Sequence, residues 1–182
     1  MDRDGVINKL PPKYPNDGIG DIRNYITKWE DFEFLDGAKE AVKMVLTAGF
    51  VPIVISNQGG AIGRKLVEYK TIDDIFKKME LMMLAGRAHY TPFYYFCPHL
   101  ISDNCACIKP KPGMLYQAAI EHNIDLAQSW MIGDSGTDLE AGYNAGIRKC
   151  IGVGSRFYSF PGGGVNHSVP SLLEAVKYIL ST

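Results

Sequence analysis

Phe50-Val51-Pro52-Ile53-Val54-Ile55-Ser56 is the run that decides the fold. It has strand length and no polar alternation, so both of its faces must be covered, as in a parallel sheet packed between helices. Pro52 lies near its start, where a missing N–H is tolerated. The run ends in Ser56-Asn57-Gln58-Gly59-Gly60, a polar turn at a strand's carboxyl end. In open α/β sheets ligands bind along that edge.

Outward from this strand the chain alternates. On its amino side Ala38, Ala41, Val42, Val45 and Leu46 form one helical stripe, opened by Asp36-Gly37 and stopped at Gly49. On its carboxyl side a helix is expected from Thr71 to about Ala85, with Ile72, Ile75, Phe76, Met79 and Met83 on one face. The Met79, Met82, Met83 cluster reads as core packing. Phe93-Tyr94-Tyr95-Phe96 is a short aromatic strand running into Cys97. Met114 to His122 reads as a helix opened by Pro112-Gly113, and Trp130-Met131-Ile132 as a buried strand ending in Gly133-Asp134. Leu139 to Ala145 is helical, Lys149 to Val153 a strand, and Ser171 to Leu180 a closing helix. The segment from Leu10 to Tyr25, rich in Pro and Gly, is a surface loop near the first residues, either a plain connection or a substrate lid. A second loop spans Gly154 to Ser168. The alternation predicts an α/β fold, a three-layer Rossmann-like parallel sheet with helices on both faces. No internal repeat or long linker divides the 182 residues, so a single domain is expected.

The bulk properties exclude more than they identify. A chain with 46% hydrophobic and 21% charged residues folds as an ordinary globular protein. A net charge of −1 offers no electrostatic case for nucleic acid or an anionic membrane. No basic segment followed by an apolar run marks a secretory signal, and no apolar run spans a bilayer, so a cytoplasmic location is expected.

Three polar clusters follow predicted strands or stand where one would end. They are Asp2 and Asp4 in Met1-Asp2-Arg3-Asp4-Gly5, Ser56 with Asn57, and Asp134 with Asp138. Two carboxylates one residue apart suit a reaction in which one attacks and its neighbour moves a proton, although Asp-x-Asp-Gly is also a common turn. Asp134 or Asp138 alone would serve as a helix cap. Converging on one sheet edge, such carboxylates repel each other unless a divalent cation binds them, and hard oxygen ligands suit Mg²⁺. Lys109, in Ile108-Lys109-Pro110-Lys111-Pro112-Gly113, adds a fixed positive charge. Together these are parts that phosphoryl transfer needs.

Cys97-Pro98-His99, followed by Cys105-Ala106-Cys107, supplies three thiolates and an imidazole within eleven residues. That is a full ligand set for a closed, structural zinc site. A Cys105–Cys107 disulfide would be strained by its single intervening residue. Cys150 lies in an apolar strand and reads as an inert core thiol, and His89, His122 and His167 have no partner pattern.

The order and spacing of these motifs resemble the haloacid dehalogenase superfamily of phosphatases. Asp2-Arg3-Asp4-Gly5 is similar to its first motif, Ser56 to its second, Lys109 to its third, and Gly133-Asp134-Ser135-Gly136-Thr137-Asp138 to its fourth. The resemblance implies that Asp2 is the nucleophile and forms an aspartyl-phosphate, and that Asp4 is the general acid and then base. It implies that Ser56, Asn57 and Lys109 hold the phosphoryl oxygens. Mg²⁺ would be bound by Asp2, the Asp4 carbonyl and Asp134, with Asp138 supporting. The zinc loop ahead of Lys109 narrows the resemblance to the branch containing heptose 1,7-bisphosphate and histidinol-phosphate phosphatases, which carries a small zinc loop and no large cap domain. Lys109-Pro110-Lys111-Pro112-Gly113-Met114 and Ser129-Trp130-Met131-Ile132-Gly133-Asp134 favour the heptose enzymes. The expected activity is then removal of the 7-phosphate of D-glycero-D-manno-heptose 1,7-bisphosphate in carbohydrate metabolism, with Gln58 and Arg64 touching the sugar or its second phosphate. The expected partner is a small phosphorylated metabolite, with no nucleic acid and no membrane, and the expected state is a monomer.

This sequence departs from the branch twice. Ile108 stands where an arginine usually precedes the lysine, and only Met1 precedes Asp2 where an apolar strand of about five residues is usual. From the second departure a truncated first strand is expected, with Met1 marking a displaced start. Histidinol-phosphate hydrolysis, and a zinc-loop binding protein with a decayed site, are the alternatives.

Overall fold

Val54 and Ile55 are buried completely, and their run forms the first strand of a parallel sheet in the computed structural model, which describes residues 1–10, 25–84, 93–154 and 167–182. β1 (Val54–Asn57) pairs in parallel with β2 (Tyr94–Cys97), Ile55 lying opposite Tyr95. A second parallel sheet has the order β3 (Trp130–Gly133), β4 (Lys149–Val153), β5 (His167–Val169). β1 is shorter than the apolar run that announces it. Pro52 has no N–H, and the Phe50 N–H is given to the Val45 C=O at the end of the preceding helix. β5 falls in a stretch read as loop. It is three residues long with its first two exposed, so it leaves no apolar run to detect.

The helices cover these sheets. α1 (Ala38–Thr47) buries Ala38, Ala41, Val42 and Val45 and packs on α6 (Leu172–Ser181) and on α3 (Tyr69–Met83). It starts without a side-chain cap; Gly37, at φ 77°, supplies the left-handed turn instead. A single helical turn, α2 (Gly59–Ile62), follows β1. α4 (Gly113–His122) lies on β2, and α5 (Gly136–Asn144) on β3 and β4. Gly142 sets how close α5 comes, because a Cβ there would sit 2.7 Å from the Met131 Cβ. Met79 and Met83 pack in the core as expected, but Met82 does not: it is 47% exposed on the outer face of α3. Among the described residues no helix is long and apolar enough to cross a membrane.

Met1 and Asp2 join the two sheets. The Ile55 N–H donates to the Met1 carbonyl at 2.8 Å, and the Asp2 N–H donates to the Ile132 carbonyl at 2.9 Å. The Met1 amino group donates to the Ile53 carbonyl at 2.7 Å. These two residues thus occupy a strand position between β1 and β3 at the carboxyl end of the strands. Toward the amino end the same interval is a cleft of about 340 Å³, lined by Ile53, Leu115, Ala118, Trp130 and Ile132 among others. The apolar strand expected ahead of Asp2 would lie in this cleft.

Candidate active site

The tight turn after Asp2 brings the first motif to the sheet edge. The Arg3 carbonyl accepts from the N–H groups of Val6, Ile7 and Asn8, and the Gly5 N–H donates to the Asn8 carbonyl. Gly5 adopts φ 82°, and a side chain there would collide with the Asp134 carboxylate. Glycine is therefore required twice over, by the turn and by the approach of the fourth motif.

Lys109 is the hub. Its ammonium donates to Asp2 Oδ1 at 2.7 Å, to Asp138 Oδ1 at 2.6 Å and to the Ile55 carbonyl at 3.2 Å, which uses all three of its N–H groups. Burial alone would lower its pKa, but Asp138 and Asp2 outweigh burial and hold it above the ordinary lysine range. Burial pushes the Asp2 carboxyl up to about 7, with Asp138 adding to the shift and Lys109 opposing it. A divalent cation beside these groups would reverse the balance and keep Asp2 ionised.

The other positions named from the sequence sort by what they touch. Asp2, Asp134 and Asp138 each offer a carboxylate oxygen within 4.8 Å of the other two, a set of hard donors that fits Mg²⁺. Asp138 also completes the capping box at the start of α5, whose N-cap is Ser135. Its Oδ2 accepts from the Ser135 N–H at 3.1 Å and the Ser135 hydroxyl at 2.6 Å, so its other oxygen is left to fix Lys109. Asn57 clamps the Lys109 backbone in both directions, Nδ2 donating to its carbonyl at 3.1 Å and Oδ1 accepting its N–H at 2.9 Å. Ser56 turns its hydroxyl toward Asp4 Oδ2 at 3.4 Å and accepts from Gln58 Nε2 at 2.8 Å. Gln58 is fully buried against Asp4. Arg64 lies exposed just past α2. Two residues of the site escaped the sequence reading. Arg3 and Asn8, both fully buried, hold the Asp4 carboxylate. Their signal was an arginine between two aspartates and an asparagine one turn later.

Cys97, His99, Cys105 and Cys107 converge beside this edge, each with a ligand atom within 4.8 Å of the others. The separations are 3.5 Å from Cys97 to Cys105, 3.1 Å from Cys107 to Cys97, 3.3 Å from Cys107 to Cys105 and 3.2 Å from His99 Nδ1 to Cys107. A tetrahedral zinc with Zn–S of roughly 2.3 Å has ligand–ligand edges of about 3.8 Å, so the cluster fits zinc with a small expansion. Cys150 is buried away from this cluster. His122 stacks on Phe93 and His167 on Tyr178, which accounts for both as packing residues. His89 and most of the two long loops lie outside the described residues.

Comparison with known proteins agrees with this geometry. Residues 106–155, from the Cys/His loop through the fourth motif, match the HAD-hydrolase-like family model. The chain is 37% identical over 149 residues to the D-glycero-beta-D-manno-heptose-1,7-bisphosphate 7-phosphatase of Helicobacter pylori strain J99, covering 82% of this chain and 78% of that protein. It is 37% identical to the D-glycero-alpha-D-manno-heptose-1,7-bisphosphate 7-phosphatase of Campylobacter jejuni, covering 83% and 78%. The crystal structure of D,D-heptose 1,7-bisphosphate phosphatase from B. bronchiseptica, complexed with magnesium and phosphate, superposes with a TM-score of 0.78 at 25% identity, covering 99% of this chain and 96% of that one. The chain belongs to the haloacid dehalogenase superfamily, in its family of heptose 1,7-bisphosphate phosphatases.

Proposed function

We propose that the protein hydrolyses the 7-phosphate of D-glycero-D-manno-heptose 1,7-bisphosphate through an aspartyl-phosphate on Asp2. The observation that carries the proposal is Lys109, buried between Asp2 and Asp138 with Asp134 alongside. A fixed cation against the attacking carboxylate is arranged for charge that arrives with the substrate.

Asp2 attacks phosphorus while Asp4 delivers a proton to the departing sugar oxygen; Asp4 then takes a proton from the water that attacks the acyl phosphate, freeing Asp2. Ser56 and Lys109 are the donors placed to meet phosphoryl oxygens, Lys109 redirecting the N–H it now gives to Asp2. Asn57 holds the Lys109 backbone in register with β1. Asp2, Asp134 and the Asp4 carbonyl would hold Mg²⁺, which when bound offsets the negative charge of phosphate and carboxylates. Zn²⁺ on Cys97, His99, Cys105 and Cys107 would fix the loop that carries Lys109. The relatives named for this reaction include both anomers, so the anomer taken by this chain is set by its own sugar contacts.

Phosphate release from the alpha and beta heptose bisphosphates and from histidinol phosphate, measured side by side with Asp2→Asn as the blank, tests the proposal. The expected outcome is Mg²⁺-dependent turnover of a heptose bisphosphate, abolished by EDTA and by Asp2→Asn. Turnover confined to histidinol phosphate would reassign the substrate, and turnover by Asp2→Asn would end the mechanism.

A further inference from the structure

We propose that Arg3 is a positioning residue for Asp4, and that it governs how well the enzyme expels a poor leaving group; the inference rests on the phosphatase reading above. Arg3 is 0% exposed. Its guanidinium donates to Asp4 three times, from Nε to Oδ1 at 3.1 Å and from Nη2 to Oδ1 at 2.8 Å and Oδ2 at 2.9 Å. From behind, the group lies 4.5 Å over the Phe76 ring of α3, which fixes its plane. Nη1 has no hydrogen-bond partner among the described residues.

A buried guanidinium with an unpaired nitrogen is a poor way to stabilise a turn. The arrangement makes sense as a clamp. Asn8 Nδ2 donates to Oδ1 at 3.1 Å and Gln58 Nε2 to Oδ2 at 2.9 Å, so three fully buried side chains aim their donors at one partly exposed carboxylate. Their combined geometry fixes where Asp4 stands relative to Asp2. A general acid works only when its oxygen lies within hydrogen-bond reach of the leaving group, and small displacements cost rate steeply. Lysine would keep the charge of Arg3 but lose the planar fork that sets the carboxylate's orientation.

Leaving-group dependence separates a clamp on the acid from a mere structural anchor. An alkoxide must be protonated as it leaves, whereas p-nitrophenolate leaves with little help. The quantity to measure is kcat/KM, which stops at the first irreversible step and so excludes hydrolysis of the aspartyl-phosphate. Substrates are the heptose bisphosphate and p-nitrophenyl phosphate, enzymes are wild type, Arg3→Lys and Gln58→Met, and Asp4→Asn sets the size of a complete loss. For Arg3→Lys the sugar phosphate should fall on the order of 10²-fold and the aryl phosphate by less than about threefold, given what a general acid contributes. If Arg3→Lys fails to fold, the selective loss is sought in Gln58→Met, which removes a separate donor to Asp4. Equal losses on both substrates, or none on either, would overturn the assignment. Wild type inactive on both substrates would instead refute the phosphatase reading.

Discussion

Lys109 is the residue on which the site's electrostatics turn. Replacing it by methionine leaves Asp2 and Asp138 facing each other in a buried space, and removing one partner of a buried ion pair costs about 3–5 kcal/mol. Lys109→Met should therefore unfold at markedly lower denaturant as well as lose turnover. Mg²⁺ should restore part of the stability, because it neutralises the same carboxylates. Equal stability to wild type in metal-free buffer would contradict the buried-triad account. At this scale the sequence exposed the proposed reacting groups and hid the side chains packed around them. Asp2, Asp4, Ser56, Lys109 and Asp134 were legible as candidates only through their order and spacing taken together, because each cluster alone reads equally as a turn or a helix cap. Asn57 and Gln58 were visible as polar residues, but their placement on the Lys109 backbone and on Asp4 depends on packing that no spacing reveals. Arg3 was hidden because an arginine beside two aspartates looks like a solvated neighbour rather than a buried clamp.

At the scale of elements, the Cys/His loop between β2 and α4, proposed to hold zinc, makes the clearest separate prediction. Cys97, Cys105 and Cys107 form one cluster, while Cys150 is buried and its thiol is pushed by burial up to about 11. A thiol reagent at pH 8 should find the native, metal-loaded protein unreactive. A zinc chelator should release zinc and open three thiols, with the fourth, Cys150, appearing only on denaturation. Three thiols reactive before chelation would rule out a bound metal at this loop. Elements were the most legible scale of all. The apolar stripes of α1 and α3 and the uninterrupted run at β1 follow from period and burial alone. What failed was short or one-sided: β5, with two of its three residues exposed, and Met82, which lies near a buried face without belonging to it.

For the whole molecule the central feature is the interval between β1 and β3, closed at one end by Met1 and Asp2 and open as a 340 Å³ cleft at the other. Burial lowers the Met1 amino group to about 5, with Lys109 adding to the effect. A chain extended by five apolar residues ahead of Met1 should fill the cleft and pair with both neighbouring strands. Each fully buried aliphatic side chain is worth roughly 1.5–3 kcal/mol, so even partial burial should raise the denaturation midpoint well beyond error. An extension that leaves the midpoint unchanged would mean that other residues already occupy the interval. The expectation of an apolar strand ahead of Asp2 came from the resemblance and not from any pattern in these residues. The side-chain pattern did not show that Met1 and Asp2 together bridge both sheets, which depends on backbone hydrogen bonds.

The claim beneath all three scales is that Asp2 attacks the 7-phosphate with Lys109 and a divalent cation beside it. The most direct test follows the heptose 1,7-bisphosphate by ³¹P NMR during turnover with Mg²⁺. The account predicts that the 7-phosphate resonance gives way to inorganic phosphate while the 1-phosphate resonance persists, with no change in the presence of Asp2→Asn. Loss of the 1-phosphate first, or any turnover by Asp2→Asn, would contradict it.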